Sequence, residues 1–478
     1  MDWTREKKCA VIGLARAGIP TARFLAERGN RVVGYDSKPF SQLAPEARAL
    51  GDIGVELQLG DHHFAGLRSC HLIVLSPGLK IHHEPLRAIL AEAEGRNTEV
   101  IGELELAARH CPSPMIAVTG TKGKSTTVKL LEEMLRSVGL DAFRAGNTGT
   151  PLIAELPKLS PDAWAVVEVS SFQLERAPTF KPRVGVLLNL LPDHQDYHPS
   201  IEQYWSTKLK LFAHQGAGDA AVLNVDDAQV RERAAQVLEA SQSAGGRVLG
   251  ASGTGLPELN GLSLDGAGVR DGALGWVAEG RFESVIALER IPLAGAHNRA
   301  NVAAALSALV AAAGPQVLEQ RETIANAIEG FQSLPHRLEF VAYKVGARWI
   351  NDSQATIPDA AIAALGAFAA PVVLIAGGHN KLEDPHAFDA LARALAQAAG
   401  LVTIGRAGPE IARAARKAGL DSEKIVEAGE LKAAVREAAK LAGEGATVVM
   451  APACASFDQF NSFEERGEKF RALVQALD

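Results

Sequence analysis

Short apolar runs recur along the chain, each ending in a turn or polar residue, and several lead into residues with helical spacing. Lys8 to Ile12, Arg31 to Tyr35 and Leu72 to Leu75 open the series; Ile116 to Val118, Trp164 to Val167 and Val184 to Leu188 continue it. Ala347 to Ile350, Val372 to Ala376 and Val448 to Met450 close it. Runs of this length, bounded by turn residues, predict strands. Helical spacing follows Gly18 as far as Glu27 and again covers Val128 to Arg136, and an Ala-rich helix opens near His297. Alternating strands and helices predict an α/β fold with parallel sheets. Gly- and Ser-rich sequence from about Ser241 to Arg290 predicts short strands with no evident chemistry.

At 478 residues the chain is too long for one core. Cys111-Pro112-Ser113-Pro114 reads as a linker, because two prolines block a helix or central strand. The expected division is 1–112, 113–333 and 334–478: a Rossmann-like N-terminal domain, a central P-loop ATPase-like domain and a Rossmann-like C-terminal domain.

The sharpest chemistry lies between Met115 and Thr127. A short strand runs into Gly120-Thr121-Lys122-Gly123-Lys124-Ser125-Thr126, and a helix follows. Glycines there let backbone N–H groups turn toward a phosphate, and the helix N-terminus adds partial positive charge. Lys124 would reach the outer phosphates and Ser125 would ligate Mg²⁺. The usual G-x-x-x-x-G-K-S/T pattern has its first glycine where this chain has Val118, and Gly120 stands in. Strand before and helix after make this an NTP site, not a surface turn.

Gly13 and Gly18 follow the first strand, and Asp36 ends the second. Their G-x-x-x-x-G spacing does not support a nicotinamide cofactor. It suits a nucleotide diphosphate on the helix N-terminus, with Asp36 on a ribose or base, or glycines that only allow close strand–helix packing. Ser76-Pro77-Gly78 ends another strand at the same ligand-binding edge. In the central part, Gly146-Asn147-Thr148-Gly149, Glu168 and Asp193-His194 each follow a predicted strand, where Mg²⁺ bound to ATP needs further ligands. Taken singly, Glu168 could be a helix-start charge and His194 a turn residue.

Bulk properties narrow the field. A net charge of −7 gives no electrostatic case for nucleic acid or an anionic membrane, and no apolar run has the length of a membrane span. Met1 to Lys8 is too polar to open a signal peptide. Cys9, Cys70, Cys111 and Cys454 lack disulfide or metal spacing, so reduced thiols in the cytoplasm are expected. Cys454 reads as a small buried residue and not as a nucleophile.

The phosphate loop, Glu168-Val-Ser-Ser-Phe-Gln-Leu-Glu175 and Asp193-His194-Gln-Asp196 together resemble the Mur ligase superfamily, and the resemblance covers essentially the whole chain. It implies an ATP-dependent amide ligase joining an amino acid to a nucleotide-linked muramoyl precursor. It also implies two Mg²⁺ ions, the first on Ser125 and the second on Glu168, His194 and Lys208. Lys208, in Tyr204-Trp-Ser-Thr-Lys208, matches a lysine carbamylated in that family; Lys210 is the competing candidate. Lys124, His194 and Lys208 are thus the expected catalytic groups. Arg16, Asp36, Ser37, Ser76, Pro77, Gly78 and Asn147 are expected at the UDP substrate. Gly120 to Thr126, Asn298, Asn301, His336, Arg337 and Asp352 are expected at ATP, although Asn298 would serve equally as a helix cap.

The later motifs narrow the resemblance to glutamate-adding members, with UDP-N-acetylmuramoyl-L-alanine as the acceptor. Thr356, Lys381, Ser456, Phe457 and Phe463 are the implied glutamate-binding residues. The chain departs from the pattern at Gln354, where a lysine is usual, so one positive charge is missing and D- and L-glutamate both stay open. ATP contacts from two domains imply closure on substrate binding, in a protein expected to be monomeric. A folate-polyglutamate-type ligase, a dinucleotide oxidoreductase and a non-catalytic P-loop regulator are the rival readings.

Overall fold

The protein was described by a computed structural model covering residues 7–477, except 61–63, 65, 196, 294, 333–334, 369–370, 381–383 and 385. Its chain forms two compact units, one of residues 1–291 with 297–331, the other of 292–296 with 332–478.

The first unit holds two large sheets. In the first, β1 (Lys8–Ile12), β2 (Arg31–Asp36), β3 (Glu56–Leu59), β4 (Leu72–Leu75) and β5 (Glu99–Gly102) lie parallel in the order β3-β2-β1-β4-β5. Strand order reverses between β1 and β4, which places a ligand crevice at their carboxyl ends. The helix Gly18–Glu27 returns the chain from β1 to β2, and a Cβ on Gly18 would stand 1.7 Å from the Gly13 carbonyl oxygen. Only glycine permits that approach, so tight strand–helix packing is one established use of this position.

The second sheet begins with β6 (Met115–Thr119), β7 (Ala142–Gly146), β8 (Trp164–Glu168), β9 (Val184–Leu187), β10 (Ala220–Asn224) and β11 (Arg247–Ala251). A two-stranded ribbon, β12 (Glu258–Leu259) with β13 (Leu262–Ser263), interrupts the sequence before β14 (Gly266–Arg270), β15 (Ala273–Ala278) and β16 (Arg281–Ala287). The sheet order is β16-β15-β14-β11-β10-β9-β6-β8-β7, parallel from β7 to β14 and antiparallel through β14, β15 and β16. The Gly- and Ser-rich stretch therefore does form short strands. β6 is flanked by β8 and β9, and the register sets Val118 beside Glu168 and Thr119 beside Leu187. Whatever follows these three strands must converge on one edge.

Both sheets contribute to one continuous apolar core, which includes Val11, Val74 and Ile101 from the first and Ala117, Val167 and Leu223 from the second. The helix Ala296–Ala313 is apolar around most of its circumference and buried along most of its length, as its Ala-rich sequence requires. Ser307 fastens it to the sheet, donating to the Gly250 carbonyl at 2.8 Å and accepting from Ala267 N–H at 2.8 Å.

The second unit carries a six-stranded sheet, β17 (Glu339–Lys344), β18 (Ala347–Asn351), β19 (Val372–Gly377), β20 (Gly400–Ile404), β21 (Ile425–Gly429) and β22 (Thr447–Met450). Its order is β17-β18-β22-β19-β20-β21, with only β17 antiparallel. Helices cover both faces, giving one core around Leu374 and Leu391 and another around Trp349, Ile375 and Phe470. No helix among the described residues is long and apolar enough to cross a membrane.

Ala303, Ala304 and Ala305 are fully buried, so the helix Ala296–Ala313 has no room for larger side chains. Ala304→Leu is expected to destabilise the protein by about 1–3 kcal/mol through overpacking. Chemical denaturation of the variant measures this.

Candidate active site

The loop after β6 is closed from three directions. Asn189, just past β9, accepts from Lys122 N–H at 2.8 Å through its side-chain oxygen, donates to the Lys122 carbonyl at 3.0 Å, and its own carbonyl accepts from Thr121 N–H at 3.1 Å. The Thr121 hydroxyl donates to the Leu191 carbonyl at 3.0 Å and accepts from Tyr204 Oη at 3.2 Å. From the third side comes Asn301: a Cβ on Gly123 would lie 2.5 Å from its Oδ1, and Gly123 has φ +88°. A glycine is required there on both counts. Asn301 also donates to Asn298 Oδ1 at 3.2 Å, and both are buried, so the two asparagines expected at the nucleotide form one wall of the loop.

The helix Lys124–Ser137 opens directly from the loop, giving it the polarity of an anion cradle. Lys124 Nζ donates to the Gly120 and Thr121 carbonyls at 2.9 and 3.0 Å. Ser125 Oγ donates to Glu168 Oε2. Glu168 Oε1 accepts from Thr148 Oγ1 at 2.7 Å and from Asn147 Nδ2 at 3.1 Å. Burial alone, at 3% exposure, would raise the Glu168 carboxyl; the Lys124 charge and the Ser125, Thr148 and Asn147 hydrogen bonds overcome it and hold the group below its ordinary range. A hydroxyl in contact with a buried, ionised carboxylate offers hard oxygen donors of the kind Mg²⁺ takes. Among the described residues no three His, Cys, Asp or Glu side chains form a ready metal cage.

Lys208, on the helix Ile201–Leu209, is 1% exposed. Its Nζ donates to the Gly120 carbonyl at 3.1 Å and stands 4.6 Å above the Tyr204 ring. Burial, and then the Lys124 and Lys122 charges, hold the amine well below the usual lysine range against an opposing pull from Asp193. Asp193 is held low in spite of burial by Lys122 and His194, and it pairs with Lys122 at 3.4 Å. His194 packs edge-on against Phe172 at 4.8 Å and Tyr204 at 5.8 Å, so it shares the Tyr204 ring with Lys208. Asp196 lies outside the described residues.

At the first sheet the expected substrate residues meet as well. Ser76 Oγ donates to the Gly13 carbonyl at 2.7 Å, joining the β1 and β4 ends. Asp36 accepts from Leu14 N–H at 2.8 Å and Lys38 N–H at 2.9 Å, so it shapes the glycine turn whatever else it binds. Exposed Arg16 donates to the Asn147 carbonyl, linking this edge to the Glu168 cluster. Ser37 and Gly78 are exposed and Pro77 half-buried beside them.

Within the second unit, the motif segments are gathered by a residue the sequence reading gave no role. Arg466 is fully buried; Nε donates to Ser353 Oγ at 3.0 Å, and the terminal nitrogens reach the Ser353 and Cys454 carbonyls at 2.8 to 3.2 Å. Burial pushes its guanidinium down to about 10. Ser353 Oγ in turn donates to the Phe463 carbonyl at 2.7 Å. Thr356, Ser456 and Phe463 thus stand on tied segments, with Phe457 exposed and Gln354 half-buried. Lys381 lies outside the described residues. His336 is buried and bonded to Asn351 at 3.0 Å, Asp352 accepts from Leu338 N–H at 3.1 Å, and Arg337 is half-buried beside them.

Two buried acids on the helix Glu103–His110 also went unnoticed in the sequence, where they look like ordinary helix-start charges. Glu105 accepts from Thr179 N–H and Oγ1 and from Arg109 Nε. Burial drives the Glu103 carboxyl up to about 7, against weaker lowering by Ile153 N–H, Gln173 and Arg16.

Comparison with known proteins identifies the family. Family models match residues 7–102 (Mur ligase MurD-like, N-terminal domain), 118–309 (Mur ligase middle domain) and 336–454 (Mur ligase, glutamate ligase domain). A curated relative from Pelotomaculum thermopropionicum, UDP-N-acetylmuramoylalanine--D-glutamate ligase, is 43% identical, with 100% of this chain and 99% of that protein covered. A relative of the same name from Geotalea uraniireducens is 38% identical over 99% of this chain and 98% of its own. Among solved structures, the Thermotoga maritima UDP-N-acetylmuramate-alanine ligase MurC aligns with TM-score 0.57 at 17% identity, covering 98% of this chain and 100% of its own. The MurF ligase of the same organism, in complex with ADP, aligns with TM-score 0.57 at 16% identity, covering 99% of each chain. The fold and its phosphate-loop cluster define an ATP-dependent amide ligase. The chain belongs to the Mur ligase family.

Gly123→Ala is expected to raise the KM for ATP at least roughly ten-fold, because the new Cβ meets Asn301 and the backbone is left-handed. Steady-state kinetics at varied ATP measures it. For Glu103 the sign is set by its raised folded value. The carboxyl is neutral in both states below 4.5, and stability is lost as pH rises through about 7. Glu103→Gln should therefore gain stability over the natural protein as pH climbs across this window, by up to about 3 kcal/mol at pH 8. Denaturation at pH 5 and pH 8 checks both sign and window.

Proposed function

We propose that this chain joins D-glutamate to UDP-N-acetylmuramoyl-L-alanine, with ATP activating the alanyl carboxylate, as a step of peptidoglycan precursor synthesis. One observation carries the reading: relatives named for D-glutamate ligation align with the chain from end to end, at 43 and 38% identity. The protein works as a cytoplasmic monomer of three domains, 1–112, 113–333 and 334–478.

Amide formation from a free carboxylate is uphill, so the carboxylate is activated first. An alanyl carboxylate oxygen attacks the γ-phosphorus of ATP, the bond to the β-phosphate oxygen breaks, and an acyl phosphate and ADP form. The glutamate amine then attacks the acyl carbon, the carbon–oxygen bond to phosphate breaks, and the nitrogen loses a proton as phosphate leaves. Loop N–H groups and Lys124 bind the phosphates and offset repulsion between the anions. Asn298 and Asn301 border the nucleotide. Arg16, Asp36, Ser37, Ser76, Pro77, Gly78 and Asn147 hold the UDP substrate. Thr356, Lys381, Ser456, Phe457 and Phe463 hold glutamate, and Gln354 does so without a charge.

Ser125 would hold one Mg²⁺; Glu168, His194 and carbamylated Lys208 would hold a second. When bound, Mg²⁺ neutralises charge on the transferring phosphoryl group. The environment of Lys208 supports the carbamate on two grounds. A depressed amine is more often unprotonated and free to add CO₂. Lys122 and Lys124, which disfavour an ammonium at that position, favour the anion that replaces it.

Phosphate release with ATP, UDP-N-acetylmuramoyl-L-alanine and each glutamate isomer tests the assignment. Turnover with D-glutamate is expected; turnover with L-glutamate alone would revise the substrate, and none with either isomer would refute it. Lys208→Ala is expected to lose on the order of 10²-fold or more in kcat. Intact-protein mass spectrometry in bicarbonate should find a CO₂ adduct on the natural protein and none on the variant.

A further inference from the structure

One acid of the sequence motifs takes no part in the steps above. Glu175 closes the helix Ser171–Glu175, where the helix dipole disfavours an anion. Its side chain is only 10% exposed, and both oxygens are engaged by groups from distant segments. Oε1 meets His82 Nε2 at 2.7 Å, and Oε2 accepts from Tyr197 Oη at 3.0 Å. A solvated ion pair explains neither the burial nor the second partner.

The two partners come from different parts of the site. His82 lies just beyond the Ser76–Gly78 turn, and its neighbour Ile81 is buried with Leu75 in an apolar cluster of the first sheet. Tyr197 lies just beyond His194, in the loop that follows β9 of the second sheet. Its ring enters that same cluster and faces the His82 ring edge-on at 5.4 Å. Tyr197 and Phe172 also border one narrow cleft with Ser76, Pro77 and Gly78. The carboxylate therefore ties a strand-end turn of one sheet to a strand-end loop of the other.

That loop is internally braced. The N–H groups of Tyr197 and His198 both donate to the His194 carbonyl, at 3.1 and 3.0 Å. His194 has φ +53°, a left-handed backbone that a residue with a side chain keeps only where its surroundings impose it. Phe172 lies edge-on to Tyr197 at 4.4 Å and to His194 at 4.8 Å, and His198 Nε2 pairs with Ser171 Oγ at 2.9 Å. Tyr197 cannot shift without carrying His194 with it.

We propose that Glu175 is a positioning residue: by clasping His82 and Tyr197 it couples occupation of the Ser76–Gly78 edge to the placement of His194. This rests on the reading that the edge holds the nucleotide-linked substrate and that His194 serves Mg²⁺ and ATP. Filling one edge then strengthens binding at the other, and the effect is reciprocal.

Calorimetric titration tests this. Affinity for UDP-N-acetylmuramoyl-L-alanine is measured with and without Mg²⁺ and a non-hydrolysable ATP analogue. The natural protein is expected to bind at least roughly five-fold more tightly when both are present. In Glu175→Ala that factor should fall below about two-fold, while KM for glutamate stays within about two-fold of the natural value. Glu175→Gln should retain the coupling, because its amide accepts from Tyr197 and donates to His82 in the other tautomer. Tyr197→Phe removes one hydroxyl and keeps the ring, and should lose as much coupling as Glu175→Ala. A merely structural acid would lower Tm in Glu175→Ala and leave the factor intact. An intact factor in Glu175→Ala or Tyr197→Phe, a factor lost equally in Glu175→Gln, or no coupling in the natural protein would each overturn the inference. Should Glu175→Ala not fold, Tyr197→Phe decides alone. These outcomes leave the functional reading standing, whereas failure of the natural protein to bind the nucleotide substrate refutes that reading as well.

Discussion

Glu168 is an ionised carboxylate inside the protein, and the first unit is arranged to keep it so. Water cannot solvate it, so the stabilisation has to come from fixed groups: the Lys124 charge and three hydrogen bonds from Ser125, Thr148 and Asn147. They arrive from two segments: Lys124 and Ser125 from the helix that follows β6, Asn147 and Thr148 from the turn after β7. A parallel sheet brings these ends to one edge, and β6 lies between the strand that ends in Glu168 and the strand that leads to Asn189. Removing a single partner would leave charge buried without compensation, which penalises the fold as well as the chemistry.

The same low-dielectric setting acts on the cations with opposite sign. Lys208 is pushed toward its neutral form by burial and by two other lysines, whereas Lys124 is held by loop carbonyls and faces the Glu168 charge. Two amines near one loop thus sit in opposite settings, one beside an anion and the other beside two cations. Arg466 shows a third outcome in the second unit. Its guanidinium stays charged when buried because carbonyls and a hydroxyl take up its donors, and three motif segments are tied together as a result.

Much of this was legible in the sequence because parallel α/β folds put chemistry at strand ends. Val118 before Gly120, Val167 before Glu168 and Leu75 before Ser76 mark such ends, and the strands fall within a residue or so of the apolar runs. What stayed hidden depends on distant segments meeting. Asn189 was visible as a strand-end polar residue, but its clasp on Lys122 appears only once β9 is known to flank β6. Glu103 and Glu105 carry no mark of burial in a helix whose first turn favours acids anyway; they are buried, and the partners they meet, Ile153 and Thr179, lie far along the chain. Asp36 shows the reverse, a residue marked for ligand binding that also has a local duty to the glycine turn.

Gly123 and Gly146 have a bearing on inhibitor resistance. A Cβ at Gly123 would strike Asn301, and one at Gly146 would lie 2.1 Å from the Glu168 carbonyl oxygen, with φ +88° and +116° respectively. Neither position can accept a side chain while the site keeps its shape. A compound bound through the backbone N–H groups of this loop engages atoms that no substitution removes, short of proline, and that cannot be shielded by a larger residue at either glycine. Escape mutations would be confined to the surrounding side chains.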